Sequence, residues 1–213
     1  WIPEFMTNAN KGEKNKIVEN YKQIIFFFGI FIFLLSLFSK ELLWILTSEE
    51  FYIAKIYIPL ICLGVFINHL FTLVASPSIT YAKKLQKNFI PSLVALISSI
   101  ILNIILVPVY GVLGVIISMI VSGFFSGYLL FYSSQKSFYL NISNYFIIKN
   151  IIILTLFISS IYVLNYFQIS YIYEFIIKII LILAFIKLTL DKDLNLNEFK
   201  TKFKNYIFAL LSK

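Results

Sequence analysis

The sequence has no arginine, so every side-chain positive charge at neutral pH is a lysine. It has one cysteine, Cys62, and one histidine, His69. A lone cysteine excludes a disulfide within the chain, and a histidine-based metal cluster would need ligands from elsewhere. Cys62 lies inside an apolar run and reads as a core- or lipid-facing side chain. Charge is scarce as well: 13% of residues are Asp, Glu, Lys or Arg, about half of what a soluble domain uses to keep its surface wet. Acidic residues are missing from the depths of the apolar runs. No secretory signal pattern precedes the first run, and no nucleotide-binding, zinc-protease or nucleophile-elbow pattern occurs. Nothing argues for an enzyme, a metal or a cofactor.

What the chain has in abundance is apolar surface: 60% of residues are hydrophobic, 18% aromatic, and the mean hydropathy is +0.90. Such a chain cannot cover its own exterior with polar groups, whereas lipid solvates it well. A bilayer core takes about 20 predominantly apolar residues per helix, and candidate spans fall at 24–46, 56–76, 89–109, 111–132, 147–167 and 172–190. The expectation is an all-α polytopic membrane bundle of about six transmembrane helices. A charged segment, 1–23, precedes the membrane domain 24–190, and an amphipathic helix over 191–213 lies on the cytoplasmic leaflet. In that last segment Leu196, Phe199, Phe203, Tyr206 and Leu210 follow helical spacing, with lysines between them. The first span is the weakest, because Lys40 and Glu41 interrupt it and leave Trp44 as an interfacial anchor.

The net charge of +8 is a membrane-surface signal rather than a nucleic-acid one, since the lysines sit between apolar runs instead of forming a basic patch. Lysines concentrate on the cytoplasmic side of membrane proteins. With the N-terminus inside, the inner segments hold Lys11, Lys14, Lys16, Lys22, Lys83, Lys84, Lys87, Lys136, Lys149, Lys187 and the lysines from Lys192 onward. The outer segments hold only Lys40 and Lys55, and Lys178 falls within the last span. Both termini are therefore expected in the cytoplasm.

Polar groups at membrane depth are costly and tend to face a protein interior or a watery cavity. Asn68 and His69 lie inside the second span, and Lys55, fourteen residues before His69, falls on roughly the same helical face. Asn103 shares a face of the third span with Ser92 and Ser99. These residues either line a hydrophilic path or bond across helices. Lys178 reads as snorkelling to the interface. Gly114, Ser118, Ser122 and Ser126 recur every four residues, with Gly123 and Gly127 beside them, a spacing that lets helix backbones approach closely.

The stretch 103–118, "NIILVPVYGVLGVIIS", resembles the polysaccharide flippase branch of the multidrug/oligosaccharidyl-lipid/polysaccharide exporter superfamily. It carries an Asn in an apolar helix, then a Pro, an aromatic-Gly pair and a small-residue helix start: Asn103, Pro108, Tyr110, Gly111 and Gly114. The stretches 36–67 and 81–103 are similar to the family's preceding helix pair and basic inner loop. "WIPEF" at 1–5, followed by charged residues and Tyr21, is similar to the end of a preceding span, which favours a start inside a longer protein. The resemblance covers about residues 1–135. Leu85 and Val115 depart from the Thr and Ala that the family often has, and a complete member has roughly twice as many spans, in two lobes.

The resemblance implies a plasma-membrane transporter that flips undecaprenyl-diphosphate-linked oligosaccharide repeat units for O-antigen, lipopolysaccharide or capsule synthesis. It implies as partners the lipid bilayer, the lipid-linked oligosaccharide, an N-terminal lobe of the same protein and the polysaccharide polymerase machinery, with no nucleic acid. Lys55, Asn68, His69 and Asn103 would line its cavity, and Lys83 and Lys84 would receive the diphosphate at the cytoplasmic mouth. A peptidoglycan-precursor flippase, a drug exporter and a truncated non-transporting fragment stand as alternatives.

Overall fold

The computed structural model describes residues 1–167 and 170–190. The described residues form helices joined by short links: α1 (Ile2–Asn10), α2 (Lys14–Leu37), α3 (Ser39–Leu46), α4 (Ile58–Tyr81), α5 (Phe89–Tyr110), α6 (Val112–Gln135), α7 (Asn144–Tyr166) and α8 (Tyr171–Thr189). Two 3-10 turns, Glu49–Ile56 and Leu85–Asn88, lead into α4 and α5. No strand occurs among the described residues. The chain is thus an all-α bundle, and α2, α4, α5, α6 and α7 are long and apolar enough to cross a membrane. It is a multi-pass membrane protein. The sixth expected segment forms α8, whose 19 residues include Glu174, Lys178 and Lys187. The amphipathic helix expected over 191–213 lies outside the described residues.

Order across the bundle runs α5, α6, α4, α2, with α7 and α8 against α2. Helix α4 is central and has a buried face of Phe66, Leu70, Phe71, Val74 and Ala75. Helix α5 is the edge: 6% of its apolar stretch is buried, against 56% in α2 and α4, so most of its surface is left for lipid or another protein. Phe185 of α8 stacks on Phe33 near the end of α2 at 4.7 Å and meets Phe157 of α7 edge-on at 5.3 Å. These aromatic contacts are worth about 1 kcal/mol each beyond the area they bury.

The first span differs from the expected 24–46. Helix α2 begins at Lys14, because Ile17, Asn20 and Tyr21 are buried while Lys14 and Lys16 stay exposed. It ends at Leu37, where Phe38 leaves helical geometry (φ −101°, ψ 17°) and the short α3 follows. Hydropathy reads the charges at 14–22 as an exterior segment. Packing makes them the exposed face of a helix whose other face is core.

Proline placement explains an unexpected role for the N-terminal residues. Pro77 lies inside α4 and has no N–H, so the carbonyl of Leu73, one turn back, loses its helical donor. The indole Nε1 of Trp1 donates to that carbonyl at 2.9 Å, and Phe5 of α1 is fully buried beside it. An orphaned carbonyl in an apolar interior costs about 1–3 kcal/mol. Trp1→Phe is therefore expected to lower stability by about 2 kcal/mol, and by less than about 1 kcal/mol when Pro77→Ala restores the helical donor. Chemical unfolding of the four variants in micelles tests this; equal losses in both backgrounds would separate Trp1 from Pro77.

The links gather at two ends of different charge. At one end Lys87 donates to Ser137 at 2.8 Å, Tyr81 packs on Phe138 at 5.0 Å, and Lys14 lies 5.0 Å from the same ring. This end collects Lys14, Lys83, Lys84, Lys87 and Lys136. The opposite end carries Lys40 and Lys55 together with Glu41, Glu49, Glu50 and Glu174.

Candidate functional site

The membrane-depth residues read from the sequence do not converge on one cavity. Asn68 lines a cleft of about 260 Å³ between α4, α5 and α6, with Thr72, Asn88, Ser92 and Ser126. Gly127 forms part of its α6 wall, and close packing of α6 on α4 is allowed there because a Cβ at Gly127 would sit 3.2 Å from Phe71. The hydroxyls of the cleft are already committed as donors. Thr72 donates to the Asn68 carbonyl at 3.0 Å, Ser92 to the Asn88 carbonyl at 2.8 Å, and Ser126 to the Gly123 carbonyl at 3.3 Å. Their lone pairs remain, and the buried Oδ1 of Asn88 has no hydrogen-bond partner. The cleft is therefore rich in acceptors, suited to groups that bring their own O–H donors.

His69 and Asn103 are elsewhere. The His69 ring is half-buried and packs on Phe28 with centroids 4.6 Å apart. Asn103 donates to the carbonyl of Ser99 at 2.8 Å and to its hydroxyl at 3.3 Å, while its own Oδ1 is buried without a partner. It bonds within its own helix and not across helices. Ser118 and Ser122 likewise donate to carbonyls one turn back, at 2.8 and 2.6 Å. The small-residue stripe serves more than one neighbour: Gly114 meets α5, while Gly123 and Gly127 meet α4.

Lys55 does not share a helical face with His69. Pro59 sits in the first turn of α4, the position its fixed φ suits, and Lys55 lies before it in the 3-10 turn. There it points over the Tyr52 ring at 4.4 Å and lines a cavity of about 450 Å³ with Lys40, Tyr162, Asn165 and Glu174.

Lys83 and Lys84 are exposed at the end of α4. Lys83 has φ +55°, and Lys84 donates its N–H to the Ile79 carbonyl at 3.1 Å, closing the helix in the form usually completed by glycine. Lys83→Gly is expected to stabilise the fold by about 0.5–1 kcal/mol, because an L-residue is strained there. A melting temperature in micelles that falls on this change would contradict the strain argument.

The feature that sequence reasoning missed is an ion-pair network. Lys178 is not snorkelling: it is 4% exposed and bonds Glu41 of α3, and Glu174 one turn back in α8 at 2.9 Å. Lys40 approaches the same Glu174 at 3.6 Å. The Glu174/Lys178 spacing was a readable signal of helical pairing. The third partner, Glu41, is far off in the chain and carried none.

Lys40 also lines a second cavity, of about 410 Å³, with Glu41, Trp44, Tyr52 and Tyr171. The described residues contain no group of His, Cys, Asp and Glu side chains able to hold a metal ion. No family model matches the chain, and comparison with curated proteins and with solved structures finds no match.

Proposed function

We propose that this chain is one lobe of a transporter that carries undecaprenyl-diphosphate-linked oligosaccharides across a bacterial plasma membrane for surface-polysaccharide synthesis. The observation that carries the reading is the acceptor-rich cleft on the helices that bear the family resemblance. An oligosaccharide is a dense array of hydroxyl donors, and the lone pairs of Asn68, Thr72 and Ser126 within the helices, with Asn88 and Ser92 at the lysine-rich end, match that chemistry. The α5–α6 return supports it further, since Pro108, Tyr110 and Gly111 reverse the chain without a loop. The poorly buried face of α5 is the surface on which a second lobe would close.

The lysine-rich end faces the cytoplasm in this reading, with both termini inside once α8 returns the chain. A cysteine at Tyr110, in a Cys62→Ala background, is expected to react with an impermeant maleimide only from outside the cell. Reaction from the cytoplasm alone would invert the orientation.

The functional test is complementation of a strain lacking its own repeat-unit flippase, using the chain expressed with its upstream coding sequence. Surface polysaccharide is expected to return, and Asn68→Leu to reduce it at least tenfold at equal membrane level. Failure in a panel of strains with different repeat units, with the protein present in the membrane, would reject the reading.

A further inference from the structure

We infer that the cleft at the acidic end of the bundle is a binding site for an acidic saccharide, with Lys55 as the carboxylate ligand and Trp44 as the platform for a sugar ring. The inference rests on the transport reading for its ligand class and goes beyond it in naming the anionic group and its place. Two cavities, of about 450 and about 410 Å³, meet here and share Lys40 as a wall. Each is within the usual size of a small-molecule site, roughly 300–1,000 Å³.

Of the lysines here, Lys40 and Lys178 each contact a carboxylate, while Glu49 and Glu50 open the turn that carries Lys55. Glu41 and Glu174 both bond Lys178, and Glu174 also holds Lys40 at 3.6 Å. Lys55 lines the larger cavity with only an aromatic ring, that of Tyr52 at 4.4 Å, as a partner among the interactions described. Tyr162 of α7 donates to the Ile56 carbonyl next to it at 2.7 Å, which anchors the backbone of this turn to α7. An ammonium with no ion pair among the described residues, facing an open cavity, can take one anionic group.

The rest of the lining says what else that ligand carries. Glu174 and Asn165 share the cavity with Lys55, and a carboxylate there repels a polyanion while accepting bonds from hydroxyls. Trp44, 76% exposed, stands in the neighbouring cavity with Tyr52 and Tyr171. These rings offer flat apolar faces with polar edges, which suit the C–H face of a sugar. A single carboxylate, several hydroxyls and a ring with an apolar face together describe a uronic-acid saccharide.

The test uses the full chain in phosphatidylcholine nanodiscs and reads tryptophan fluorescence. Of the two tryptophans, Trp1 is hydrogen-bonded to Leu73 at the lysine-rich end, so Trp44→Phe isolates the signal from the cleft. A glucuronic-acid-containing disaccharide is expected to quench Trp44 saturably, with an affinity at least tenfold above that of the neutral glucose disaccharide. Lys55→Gln should erase that preference at unchanged helix content, and Lys55→Arg should keep it.

Equal affinity for both disaccharides would overturn the proposal, as would a preference that survives Lys55→Gln. Displacement of the saccharide by phosphatidylglycerol in the nanodisc would overturn it in favour of a lipid-headgroup site. Binding is measured without transport. Loss of the export phenotype with binding intact would therefore remove the transport reading and leave this site standing.

Discussion

Replacing Lys178 by methionine is expected to cost about 3 kcal/mol of stability, one of the two largest losses foreseen for a single side chain. The ammonium is buried between the carboxylates of Glu41 and Glu174. Without it two like charges face each other with reduced access to water, and removing one partner of a buried pair typically costs about 3–5 kcal/mol. The figure lies at the low end because the Glu41 side chain is 38% exposed and water screens it. Neutralising the site as a whole, with Lys178→Met, Glu174→Leu and Glu41→Gln together, should recover most of the loss. Lys40→Met, which breaks only the looser 3.6 Å contact, should cost under about 1 kcal/mol. Denaturant titration in micelles gives all three values. Equal losses for Lys178→Met and Lys40→Met would mean that the network is a surface one.

Gly114→Ala is expected to cost about 3 kcal/mol, at the upper end of ordinary overpacking. An added Cβ would lie 2.5 Å from the Leu106 carbonyl oxygen and 2.9 Å from the Val107 nitrogen. Both are backbone atoms of α5, so relief requires moving a helix. Gly64→Ala is the informative contrast. Its Cβ would also come close, 2.7 Å from Met119 Cε and 2.8 Å from Ile120 Cγ1, but these are side-chain atoms, and the methionine end bends readily. A loss of about 1 kcal/mol is expected there. Gly111→Ala tests backbone strain alone, since its φ is +56° and nothing lies within 4 Å; about 1–2 kcal/mol follows. The order Gly114, Gly111, Gly64 in melting temperature checks the argument, and a larger loss at Gly64 than at Gly114 would refute it.

Much of the bundle was legible because a membrane helix announces itself locally. The runs at 89–109 and 111–132 became α5 and α6 within a few residues of their expected limits, since Pro108 and Gly111 fix the return whatever else the chain does. The break after Leu37 lies close to the interruption by Lys40 and Glu41, but the start of the first run was misjudged. Whether Lys14 to Lys22 is a loop or the wet face of a helix depends on whether something covers Ile17 and Tyr21. The hydroxyl of Tyr21 donates to the Leu70 carbonyl, at 2.6 Å, a partner that no local window contains. The candidate site was less legible. Asn68 could be recognised as a polar group at depth, but its companions Asn88 and Ser126 come from other helices, and Asn103 looked identical in sequence while it only closes a bond within its own turn.

The sequence by itself determined membrane residence, the all-helical class, the tight α5–α6 return and the uneven spread of lysines. Each follows from composition or from residues within a turn or two of one another. Only the tertiary structure decided that Lys178 is an ion-pair hub, that Lys55 belongs to a cavity with Glu174 instead of a face with His69, and that α5 stands at the edge. Those facts depend on which distant helices meet. Apolar side chains specify that a helix is to be covered, but by what is settled only when glycines, aromatic rings and charges from the whole chain compete for the same surfaces.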